Sequence, residues 1–110
     1  MATFVCINDL SSQAGEVLNP KKFIEKRVSG DQITGLFFYS NSVSEFFDEA
    51  RSNLWIEYAE SENIPIYGCR SSFISRNNLN QINPFINIVG LGQLVEGVVN
   101  NEKTVVIGKL

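Results

Sequence analysis

The apolar positions of the chain gather into short dense runs, and the stretches between them carry helical spacing. Thr3 to Ile7 is β-prone and nearly all apolar, the pattern of a strand buried on both faces. Gln32 to Tyr39 is the second such run and the most apolar, Ile64 to Cys69 the third, and Lys103 to Gly108 the last. A short strand is also expected at 86–89, inside an otherwise irregular 78–89 stretch. From Ala14 through Val17, Leu18 and Ile24 to Val28 the apolar residues recur close to the helical period. Asn19-Pro20 interrupts them, reading as an N-cap followed by a first-turn proline, so a break or a second helix start belongs there. Ser29-Gly30-Asp31 then ends that helix with a glycine. Residues 40–44 read as a loop. The segment 44–63 is helical in part, with Leu54, Trp55, Tyr58 and Ala59 on one stripe. A short helix is expected over 70–77, ended by Asn77, and another over 90–101. No internal repeat or low-complexity segment interrupts this order.

Near-continuously apolar strands separated by helices predict a parallel sheet covered on both faces. The expected fold is therefore α/β, a three-layer α/β/α sandwich with a mostly parallel sheet of about five strands. The 110 residues suffice for one domain, 1–110. In such sheets, ligands and reacting groups gather at the carboxyl ends of the strands.

Composition narrows the chemistry. An apolar fraction of 44% supports a core, and a net charge of −3 argues against direct nucleic-acid binding, which needs a basic face. A protein partner suits an acidic surface better. Residues 1–10 lack a basic start and an apolar stretch long enough for a signal peptide, and no run approaches the ~20 apolar residues of a membrane span. A soluble cytoplasmic protein is expected, with its two cysteines reduced. The chain has no histidine, which excludes Ser-His-Asp and Cys-His catalysis and leaves too few ligands for a zinc site.

Cys69 draws attention because it ends a strand and begins a helix. A thiol reacts as its thiolate, and a helix N-terminus offers unpaired amides and partial positive charge that favour the anion. On this reading the amides and hydroxyls of Ser71 and Ser72 point at the sulfur, Arg70 adds charge, and Gly68 allows a tight turn and leaves room for a partner. The competing reading is a small buried hydrophobe, since free cysteines are often interior. Cys6 lies mid-strand between Val5 and Ile7 and reads as core filler. A Cys6–Cys69 bridge requires neighbouring strands and a small offset. Arg76, two helical turns after Cys69, stands too far along the axis to touch the sulfur and suits the helix C-terminus. Tyr39, at a strand end, lies close to the site if its strand is adjacent. Gly90-Leu91-Gly92 opens a helix like a phosphate loop, but Val95 stands where a third glycine belongs, so close packing is the better account. Asp48, Glu49, Glu57, Glu60 and Glu62 read as a solvated face.

Several of these features recur in one order in a known family. Leu36-Phe37-Phe38-Tyr39 with Val43, Trp55 fourteen residues before Cys69, Gly90 to Glu96, and the terminal Val105 to Gly108 strand together resemble the DsrE family, most nearly its TusD branch. The resemblance spans nearly the whole chain. It implies a DsrE-like α/β sandwich, assembly as a homo-oligomer or with related subunits, and a sulfurtransferase that carries sulfur as a persulfide on Cys69. It also implies donor and acceptor proteins of a sulfur relay, serving tRNA 2-thiouridine or intracellular sulfur oxidation, and no metal or organic cofactor. The alternative within the same fold is a non-catalytic assembly or regulatory subunit. The chain departs from the family pattern in three places. Ser42 replaces a usual glycine, Ser75-Arg76-Asn77 replaces an arginine pair and glycine, and the stretch from Cys69 to Gly90 is shorter.

Overall fold

The computed structural model describes residues 1–10, 15–28, 30–76 and 82–108. Its strands are β1 (Ala2–Ile7), β2 (Gln32–Phe38), β3 (Ile66–Cys69), β4 (Ile86–Val89) and β5 (Lys103–Ile107), and its α-helices are α1 (Pro20–Glu25), α2 (Glu49–Glu62), α3 (Arg70–Ser75) and α4 (Leu91–Asn100). They form one sheet in the order β4-β3-β2-β1-β5, and every pairing in it is parallel.

Strand alternation divides the side chains between two faces. Val5, Ile7, Leu36, Phe38, Ile66 and Ile86 face one side, where Phe23 and Ile24 of α1, Trp55, Ile56 and Ala59 of α2, and Phe73 of α3 close over them. Trp55 stands edge-on to Phe38 with ring centroids 4.9 Å apart, an arrangement that suits the opposed charge of aromatic edges and faces. Phe4, Cys6, Phe37 and Cys69 face the other side. There α4 supplies Leu94, and Tyr39, Tyr67 and Val89 remain half-buried. The result is the expected three-layer α/β/α sandwich. The second face is the less well covered one, and α4 turns Leu91, Val95, Val98 and Val99 outward to solvent. Gly97 lets α4 sit down on the sheet, because a Cβ there would stand 2.5 Å from the Phe4 ring.

Local details depart from the sequence expectations where side chains override the simple pattern. Asn19 caps α1 as expected, its Oδ1 accepting the Lys22 N–H at 3.3 Å, but α1 ends at Glu25 rather than at Gly30. Gly30, at φ +83°, belongs instead to the turn into β2. Residues 40–46 form a 3₁₀ helix, Ser40–Phe46, where a loop was expected over 40–44. Its cause is a three-residue spacing that buries Val43 and Phe46 together, and the Ser42 hydroxyl, which accepts the Tyr39 N–H at 3.1 Å and donates to the Ile7 carbonyl at 2.6 Å. α2 begins at Asp48, whose carboxylate accepts the Arg51 N–H, and ends at Asn63 in the left-handed conformation. Within its stripe Trp55, Tyr58 and Ala59 are buried while Leu54 is only partly so. Asp48, Glu49, Glu57, Glu60 and Glu62 are all exposed. The expected helix end at Asn77 lies outside the described residues.

Candidate functional site

Cys69 is the last residue of β3 and the N-cap of α3, at the carboxyl edge of the sheet. Its direction follows from the pleat. Gly68 faces the α1–α3 side, so Cys69 faces the opposite, α4 side. There it is flanked by Val89, its register partner on β4, and by Tyr39, the position after the Phe38–Gly68 pair. The residue is 7% exposed.

This direction changes the expected surroundings of the sulfur. α3 leaves the strand toward the other face, and among the described residues no first-turn amide donates to the Cys69 side chain. The Ser72 hydroxyl accepts the Ser40 N–H at 2.8 Å, tying α3 to the loop that follows β2. Arg70 and Ser71 are exposed. Gly68 makes room for a ring of its own chain and not for a partner: a Cβ there would stand 2.3 Å from Phe73. The register instead places Tyr39 and Val89 beside Cys69 on its own face. Burial, and secondarily Cys6, push the Tyr39 hydroxyl above its ordinary range, so it stays protonated at neutral pH and available as a donor.

Cys6 occupies the same face but is separated from Cys69 by β2, since it pairs with Phe37 on one side and Val106 on the other. Two strands apart is about 9.5 Å, beyond the reach of a disulfide, and both cysteines are free. Burial raises the Cys6 thiol to about 11, so it stays neutral and does not compete as a nucleophile. Arg76 is the C-cap of α3 and donates to the Ser72 carbonyl at 3.1 Å, the role its spacing suggested. It also reaches the Asn41 side chain at 2.5 Å.

One buried charged residue is not among the candidates named from the sequence. Glu45 lies in the 3₁₀ helix, pairs with Arg51 at 2.9 Å, and accepts the Trp55 indole N–H at 3.2 Å. The signal that could have found it is the spacing to Arg51 and Trp55, six and ten residues on. Among the described residues no three potential metal ligands come together, and no helix is long and apolar enough to cross a membrane.

No known protein family's sequence model matches this chain, and no curated protein sequence matches it. Solved structures do match. The YchN protein of E. coli superposes with a TM-score of 0.71 at 16% identity, over 97% of this chain and 100% of that one. A protein of unknown function from Methanobacterium thermoautotrophicum gives 0.67 at 14% identity, over 96% and 97% of the two chains. A conserved protein of unknown function from Bacteroides thetaiotaomicron gives 0.67 at 19% identity over 94% of each. The chain has the DsrE-like fold. At these identities the likeness concerns fold, and function has to be argued from the site.

Proposed function

We propose that this protein is a sulfurtransferase subunit that carries sulfur as a persulfide on Cys69. The observation that supports the reading is the place of Cys69: a free thiol at the carboxyl end of an interior parallel strand, at the strand-to-helix junction of a DsrE-like sheet. The step is a thiol–persulfide exchange. The Cys69 thiolate attacks the outer sulfur of a donor persulfide, a new S–S bond forms, the donor's S–S bond breaks, and the donor leaves as a thiolate. An acceptor thiolate repeats the exchange on Cys69–S–SH, and Cys69 returns to its starting state. No net oxidation occurs and no cofactor enters. The second thiol of the chain, Cys6, is buried and neutral, so it does not intercept the sulfur.

Cys69 is buried, so transfer requires local movement of the half-buried side chains packed on its face to admit the partner's sulfur. Donor and acceptor are proteins of a relay that ends in tRNA 2-thiouridine or in intracellular sulfur oxidation. Work in the cytoplasm, without direct contact to nucleic acid, accords with the net charge of −3. Homo-oligomers, or assemblies with related subunits, would cover the outward stripe of Leu91, Val95, Val98 and Val99 on α4. That stripe, together with the burial of Cys69, also favours a second reading, a non-catalytic assembly or regulatory subunit. A single-turnover assay separates the two. Donor protein loaded with radioactive sulfur is mixed with wild type or Cys69→Ser, and label is followed onto this chain and off it to an acceptor thiol. Label on wild type alone supports the carrier. Equal label on both proteins, or on neither, rejects it.

A further inference from the structure

A second polar site lies on the sheet face opposite the Cys69 sulfur. The carboxyl ends of β1 and β2 and the end of α3 border a cavity of about 260 Å³, lined by Leu10 and by the polar side chains of Asp9, Asn41, Ser44, Glu45, Arg51 and Arg76. It sits where open parallel sheets hold their ligands. Two carboxylates and two guanidiniums line it. Glu45 and Arg51 neutralise each other at 2.9 Å, and the second Glu45 oxygen is taken by the Trp55 N–H. Asp9 is engaged in an interaction of its own.

Arg76 is different. Its guanidinium donates to the Ser72 carbonyl at 3.1 Å, the Ser75 hydroxyl at 3.0 Å and the Asn41 side-chain oxygen at 2.5 Å. All three acceptors are neutral. They fix the orientation of a half-buried cation and supply no counter-charge. Because the Asn41 oxygen accepts from Arg76, the Asn41 amide N–H₂ is left as a donor beside it. Ser44 adds a hydroxyl at the same wall. A fixed guanidinium fork with an adjacent amide donor is the arrangement that recognises oxyanions.

We propose that this cavity binds a small oxyanion, a carboxylate or a phosphate- or sulfate-type group, on Arg76 and Asn41. The site is independent of sulfur transfer, because it lies across the sheet from the thiol and uses none of its residues. The test is an amide-resolved NMR titration of the full chain with inorganic phosphate, sulfate or acetate, replacing chloride at constant ionic strength. Saturating shifts confined to 40–46 and 72–76 are expected for at least one anion, with a dissociation constant in the millimolar range. Response to phosphate or sulfate alone identifies a tetrahedral ligand, and response to acetate alone a carboxylate. Arg76→Gln should weaken binding about tenfold or more, and Cys69→Ser should leave it unchanged. Should Arg76→Gln fail to fold, Asn41→Asp serves instead, since it sets a carboxylate against Arg76 and should abolish binding. No saturating shift with any of the three anions, or undiminished binding in the folded variant, overturns the proposal.

Discussion

Replacing Gly68 with alanine adds one methyl group on the α1–α3 side of the sheet, directly under α3. That carbon would stand 2.3 Å from Phe73 Cε2, 3.1 Å from Cζ and 3.3 Å from Cδ2. Carbon atoms prefer about 3.5 Å or more, so the ring must retreat by roughly 1 Å. It has little room to do so. Phe73 is fully buried, with the Phe47 ring centroid at 5.9 Å and that of Phe46 at 6.4 Å. Overpacking of this kind costs about 1–3 kcal/mol. In a chain of this length it should lower Tm by roughly 4 °C or more. Urea denaturation measures it, with Phe73→Leu in the same background as a partial rescue, because removing ring atoms relieves the clash. Gly92→Ala is the control of opposite sign. Its Cβ would meet nothing within 4 Å, and it lies within α4, so alanine should be neutral or stabilise by up to about 1 kcal/mol. Equal midpoints for Gly68→Ala and wild type would refute the assignment of Gly68 to the packing of α3.

Glu45→Ala leaves the Trp55 indole N–H without its acceptor and Arg51 without its partner, and should cost about 1–3 kcal/mol by urea denaturation, with a change in Trp55 fluorescence. Burial raises Cys6 from 9.0 to about 11, so the folded state holds this proton more tightly than the unfolded one. Its contribution is therefore complete below pH 9 and is lost as pH rises toward 11. Cys6→Ala should flatten the stability profile in that window, while Tyr58, raised by burial from 10.0 to about 12, continues the decline above it. Asp31 runs the other way. Hydrogen bonds from Lys103 and then Thr3 hold its carboxyl below the usual range, so its stabilisation is present above the ordinary carboxylate pKa and is lost as pH falls through the lowered one. Asp31→Asn should reduce the acid-side slope of a midpoint-versus-pH curve.

The sheet was legible because its inner strands β1, β2 and β3 read as near-continuous apolar runs, while the edge strands β4 and β5, only partly buried, carry the pattern more weakly. The 3₁₀ helix was not. Ser40, Asn41, Ser42 and Ser44 have the composition of a loop, and the Ser42 hydrogen bonds that stabilise the helix reach back to β1, 35 residues earlier. The same non-locality hid Glu45, whose burial depends on Arg51 and Trp55 in the following helix. Gly68 was misread for another reason. Its sequence neighbour Cys69 suggested a shared role, but adjacent strand residues face opposite ways, so an open approach to one says nothing about the other. That rule also sends the Cys69 sulfur away from the α3 amides that the strand-to-helix junction seemed to promise.

Whether Cys69 carries sulfur is decided by intact-protein mass spectrometry. Wild type, Cys69→Ser and Cys6→Ser are incubated with a cysteine desulfurase and free cysteine, or with a persulfide-loaded carrier protein, and weighed before and after dithiothreitol. Wild type and Cys6→Ser should each gain one sulfur atom, reversed by the reductant, and Cys69→Ser none. A gain that persists in Cys69→Ser, or no gain in wild type from either donor, would contradict sulfur transfer through Cys69.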